Sequence, residues 1–100
     1  MEKHIETNLP KIKQLFIKYG AKSAFLFGSN ATEKAVNSSD VDFLFSFKND
    51  LDYEAYADNY FNLLYDLEKL LNRNIDLVSE KTLKNPYLIE SINESKIQLL

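Results

Sequence analysis

The chain has no cysteine, a single histidine, two glycines and two prolines in 100 residues. Without cysteine there are no disulfides, no thiolate zinc sites and no cysteine nucleophile. With His4 as the only imidazole, a multi-histidine metal site is excluded as well. So little glycine and proline leaves no material for long flexible linkers. No run of about 18 apolar residues occurs, and the opening MEKHIETNLPKIKQ has no apolar signal region. Neither a membrane span nor export is expected, and the cytoplasm is the default compartment. A basic excess is missing too: 12 Lys and Arg against 15 Asp and Glu give a net charge of −3. That balance argues against a protein that binds nucleic acid by wrapping its phosphates. What remains for chemistry is carboxylates, hydroxyls, lysines and backbone groups. The apolar share of 45% is that of an ordinary globular chain, and the length predicts one domain over residues 1–100.

Residues 8–19 read as a helix, with Asn8 as cap, Pro10 in the first turn, and Ile12, Leu15, Phe16 and Tyr19 at helical spacing. Gly20 is placed to end it. Residues 23–27, SAFLF, are too short for a buried helix and read as a strand. Small polar residues at 29–39 predict one or two helical turns and then a loop. Residues 41–47, VDFLFSF, form a second strand, and the consecutive Phe43, Leu44 and Phe45 predict cover on both faces. Asp52 to Leu71 is the longest helix, with a broad apolar stripe that includes Tyr53, Tyr56 and Tyr60. Core packing is the first reading of these tyrosines and a partner-binding stripe the second. Arg73 is expected to cap this helix, where the dipole favours a cation. Residues 75–78, IDLV, are a third strand. Thr82 or Asn85 opens a last helix with Pro86 in its first turn, and the tail KIQLL is either a short strand or a frayed end. The order α-β-(α)-β-α-β-α-(β) places the chain in the α/β or α+β class, with helices packed on a sheet.

Three features gather the chemistry. Gly28 ends the first strand and lets a backbone or ligand come close, and Ser29 opens a turn whose unpaired N–H groups and hydroxyl suit phosphate oxygens. Asp40 and Asp42 flank Val41, so strand alternation points both carboxylates to one side. Left alone they repel, and a divalent cation such as Mg²⁺ resolves that repulsion. Asp76 is a lone acid inside an apolar strand, where an unpartnered charge is costly. If its strand lies beside that of Asp42, the acids converge. Metal held there could align a hydroxyl with the α-phosphate of a nucleotide, and Asp76 could take the proton. Lys81 and Lys84 could reach phosphates or could be a solvated pair. His4 reads as a solvated terminal residue.

The stretch LFGSNATEKAVNSSDVDFLF, with Gly-Ser, ten residues, Asp-Val-Asp and an apolar run, followed by Asp76 on a later strand, resembles the polymerase-β-like nucleotidyltransferases. The short chain, the long helix between strands two and three, and the ending LKNPYLIESINESKIQLL are similar to the minimal nucleotidyltransferases. Those are antitoxin halves of two-gene modules whose toxins are helical HEPN proteins. The resemblance implies a small mixed sheet flanked by helices. It implies transfer of AMP from ATP to a tyrosine of the HEPN partner, silencing its RNase, and a hetero-oligomer of the two proteins. By the same resemblance Gly28 and Ser29 would hold the triphosphate, Asp40 and Asp42 would bind Mg²⁺, and Asp76 would complete the metal site.

The chain departs from the family pattern where members often carry basic residues, at Asn30 and Thr32, and glycine, at Glu33. Less basic charge beside a triphosphate weakens stabilisation of the transferring group. A second reading therefore has the protein neutralise its partner by binding alone. A third, a nucleotidyltransferase for small molecules, ranks last because such enzymes carry an acceptor-binding domain, and a bare core suits an acceptor that is another protein.

Overall fold

A computed structural model describes residues 1–31 and 40–100, and for Ser29 and Asn30 the backbone only. The loop expected within 32–39, with Thr32 and Glu33, lies outside the described residues. The elements run α1 (Lys3–Lys18), β1 (Ala21–Phe27), a 3₁₀ turn (Gly28–Ala31), β2 (Val41–Phe47), α2 (Tyr53–Leu71), β3 (Ile75–Ser79), a 3₁₀ turn (Glu80–Thr82), α3 (Pro86–Ser95) and β4 (Ile97–Gln98). The four strands form one mixed sheet in the order β3-β2-β1-β4. β1 is antiparallel to both β2 and β4, while β2 and β3 run parallel. Parallel neighbours need a crossover, and α2 supplies it.

The period of two in β2 sends Val41, Phe43, Phe45 and Phe47 to one face, where they pack with Ile5, Ile12 and Phe16 of α1 and Leu63, Leu67 and Leu71 of α2. Phe16 meets Phe43 edge to face at 5.4 Å. Each such side chain contributes about 1.5–3 kcal/mol by leaving water, so this face carries most of the stability. Leu44 points the other way and joins Phe27 and Ile92 of α3, with Phe25, Val78 and Leu83 against them. Both faces are therefore covered, as the consecutive apolar residues of β2 predict.

Two expectations change and one open reading is settled. α1 begins at Lys3, so Asn8 is not its cap and Pro10 lies inside it. Ile5, fully buried, extends the stripe of Ile12 and Phe16 by two turns, and that packing outweighs the helical hydrogen bond Pro10 cannot donate. The residue at the C-terminal cap of α2 is Asn72 rather than Arg73. Asn72 closes that helix in the left-handed conformation, φ 51°, with its N–H on the Glu68 carbonyl, and Arg73 pairs with Glu2 at the start of α1. The tail is a strand: Ile97 and Gln98 pair with Leu26 and Phe25, and Leu99 enters the core. Gly20 ends α1 at φ +87°, and Asn85 caps α3 through Oδ1, which accepts from the Tyr87 and Leu88 N–H groups. His4 is exposed, with Nε2 3.3 Å from the Leu71 carbonyl. No described helix is long and apolar enough to cross a membrane.

Candidate active site

β1 hands over to its 3₁₀ turn at Gly28, beside the start of β2, where Phe27 pairs with Asp42. Gly28 has φ +75°, a region that residues with a Cβ avoid. The place a Cβ would occupy is already taken by the Asp42 carboxyl: Oδ2 would overlap it and Cγ would lie 3.2 Å away. The close approach expected at this glycine is thus made by a carboxylate.

Across the parallel ladder Asp42 is level with Asp76. Paired residues point to the same side of a sheet, and neighbouring strands lie about 4.8 Å apart. The two acids therefore stand together, on the face where Leu44 and Val78 pack against α3. Asp40 immediately precedes β2 and is exposed, as is Asp76, while Asp42 is half-buried. Burial, and then the charges of Asp76 and Asp40, push the Asp42 carboxyl from 3.8 up to about 6. Ser29 lies in the turn that follows Gly28.

Among the described residues no three His, Asp or Glu side chains are grouped closely enough to hold a metal ion on their own. Asp42 and Asp76 are brought together, and Asp40 acts on Asp42 as a nearby charge. Two carboxylates fit Mg²⁺, which takes one or two from a protein and completes its shell with water and substrate phosphates. A divalent cation would also relieve the repulsion that raises Asp42.

The burial of this carboxylate, with the repulsion added to it, has a measurable consequence. The folded chain holds the Asp42 proton more tightly than the unfolded chain does. Its contribution to stability is therefore full below about pH 3.8 and is lost as the pH rises through about 6. Asp42→Asn removes that loss. Without divalent cations the variant should melt higher than wild type at pH 7.5 and equal to it at pH 3.5. Allowing for solvent screening of a half-exposed group, the gain at pH 7.5 is about 1 kcal/mol, or roughly 4–8 °C. Thermal denaturation across this range checks it, and a constant difference at every pH would contradict the raised Asp42 pKa.

Tyr60 was not a site candidate on sequence, yet its hydroxyl donates to the Leu77 carbonyl at 2.9 Å, next to Asp76 in β3. Burial and then the Asp76 charge raise its pKa. Helical spacing, its one sequence signal, says nothing about which strand it reaches. Tyr56 donates to Ser79 Oγ at 3.0 Å, and both tyrosines are half-buried. Tyr53 is 90% exposed, so the packing reading holds for two of the three. Lys81 and Lys84 are both exposed, and the Lys81 ammonium lies 5.3 Å from the Tyr56 ring centroid.

A family profile described as polymerase beta nucleotidyltransferase matches residues 10–100. The chain belongs to the polymerase-β nucleotidyltransferase family. This nucleotidyltransferase is 38% identical over 80 residues to a Methanocaldococcus jannaschii protein provisionally named a protein adenylyltransferase, covering 80% of this chain and 78% of that one. It is also similar to a solved structure provisionally described as a minimal nucleotidyltransferase: 30% identity, TM-score 0.73, 93% of this chain and 90% of that chain. A chain in the complex of a tri-AMPylated Shewanella oneidensis HEPN toxin with an MNT antitoxin shares the fold at 23% identity and TM-score 0.66, over 95% of this chain and 71% of that one. The expected class, a mixed sheet with helices in the polymerase-β-like arrangement, is the one found.

Proposed function

We propose that this nucleotidyltransferase transfers AMP from ATP to a tyrosine of a HEPN-type toxin, acting in the cytoplasm as the antitoxin of a two-protein module. The observation that carries the reading is the pair Asp42–Asp76, level across β2 and β3, with Gly28 shaped around Asp42. The relative named as a protein adenylyltransferase and the AMP-bearing HEPN complex support the choice of acceptor.

In this reading the turn at Gly28 and Ser29 receives the triphosphate. Mg²⁺ held by Asp42 and Asp76, with Asp40 alongside, would neutralise phosphate charge and favour in-line displacement. Asp76, the more exposed of the pair, takes the proton of the acceptor hydroxyl. The hydroxyl oxygen then bonds to the α-phosphorus, the bond to the bridging oxygen breaks, and pyrophosphate leaves. The partner stays bound in a hetero-oligomer.

The test is incubation of the chain with α-labelled ATP, Mg²⁺ and the protein encoded beside it. Label should appear on a tyrosine of that protein, located by mass spectrometry, and should be lost with EDTA. No transfer by wild type, or transfer undiminished by EDTA, overturns the catalytic reading. The absence of basic residues at Asn30 and Thr32, with Glu33 beside them, favours the binding-only alternative. In that case Asp42→Ala would still protect cells from the toxin.

A further inference from the structure

From residue 49 to residue 68 the chain has no lysine, arginine or histidine, while Asp50, Asp52, Glu54, Asp58, Asp66 and Glu68 all fall in that span. Most of it is α2. One side of α2 carries Tyr53, Ala57, Phe61 and Tyr65, four residues apart and so aligned along the helix. Tyr53 is 90%, Phe61 64% and Tyr65 70% exposed. Exposed aromatic rings in a row are unusual on a free surface, and their enrichment is a mark of interfaces. Tyr53 and Phe61 border an open groove of about 470 Å³ between α2 and β3. Tyr56 and Tyr60 form its floor, and Leu77, Val78 and Ser79 its strand wall.

Two properties specify the occupant. Glu54 and Asp58, both exposed, follow Tyr53 and Ala57 on the solvent flank of the stripe, and Asp76 and Glu80, also exposed, bound β3 at its two ends. Lys81, over the Tyr56 ring, stands against these four acids. An apolar channel with acidic margins complements a segment that presents apolar side chains flanked by Lys or Arg. β3 links the groove to the site: Val78, which lines the groove, follows Asp76 by two residues on the same side of that strand.

We infer that the groove between α2 and β3 docks the acceptor protein through a basic segment with an apolar face, and so delivers the acceptor hydroxyl to Asp76. This rests on the reading that the acceptor is a protein. Phe61 and Tyr53 anchor the segment, and the acids of α2 set its charge preference.

The test measures Kd for the protein encoded beside this chain, together with Kd for Mg²⁺–AMP-PNP. Tyr53→Ala/Phe61→Ala removes two largely exposed rings and should fold as wild type does. It should weaken partner binding at least tenfold and leave nucleotide binding unchanged. Glu54→Lys/Asp58→Lys should weaken partner binding too, and should flatten its dependence on salt. Partner binding within twofold of wild type in both variants overturns the proposal. Loss of nucleotide binding in the aromatic variant also overturns it, since the groove would then serve ATP. If wild type binds nucleotide but not the partner, the protein-acceptor reading fails first and takes this proposal with it.

Discussion

Asp42→Ala is expected to lower AMP transfer at least about a hundredfold while making the protein harder to melt at neutral pH. The two effects have one origin. Asp42 is held half-buried beside Asp76 and close to Asp40, where its charge is unfavourable until a cation answers it. Removing the carboxylate relieves the folded chain and deprives the proposed metal site of its less exposed carboxylate. Loss of one group that stabilises charge in the transition state typically costs about 10²–10³ in rate, or roughly 3–4 kcal/mol. A variant inactive because it is unfolded would lose both properties, so kcat/KM and Tm measured together separate the cases. Asp76→Ala should lose activity to a similar degree. Transfer by Asp42→Ala within threefold of wild type would remove this residue from the reaction.

Gly28→Ala carries the largest expected cost in stability. The backbone there has φ +75°, which a Cβ disfavours by about 1–2 kcal/mol. The added methyl would also overlap the Asp42 carboxyl, and crowding of this kind costs about 1–3 kcal/mol. Together these reach roughly 2–5 kcal/mol, a large part of the 5–15 kcal/mol typical of a domain. The two contributions can be separated. With Asp42 replaced by Ala the clashing carboxyl is gone and Cβ, 3.5 Å from the new methyl, is in ordinary contact. In that background Gly28→Ala should cost only the backbone strain. Urea denaturation of the four proteins gives the coupling, expected at about 1 kcal/mol or more. Strict additivity would mean that Asp42 does not occupy that space.

Periodicity made the regular elements readable. β2 spans Val41–Phe47 as its apolar run predicts, and α2 runs to Leu71 with Asp52 capping it through Ala55 N–H. Errors fell where a distant contact decides. Pro10 signals a helix start, and only the burial of Ile5 against the sheet shows why α1 begins earlier. Arg73 sits at a helix end, but its partner Glu2 is remote in sequence. The tail was undecided because two residues of strand exist only through β1.

The site divides in the same way. The alternation that turns Val41 into the core and Asp42 to the other face is local, so it is readable directly, while Asp40 stands just before the strand. That Asp76 is level with Asp42 depends on the register of a parallel pair joined through the whole of α2, and no short-range pattern encodes it. Gly28 could be recognised as a point of close approach, but not which atoms approach it. Tyr60 was hidden by its own plausibility as a packing residue.

The hydroxyl of Tyr60 also bears on how the sheet meets other molecules. β3 is an edge strand, and edges with open carbonyls and amides invite another chain to extend the sheet, in solution or into fibrils. Here the Leu77 carbonyl is already bonded by Tyr60, and the Ser79 side chain by Tyr56. α2 thus acts as a guard rail along that border. A strand laid along it would find the Leu77 carbonyl already taken, so a ladder added there would be interrupted at that residue.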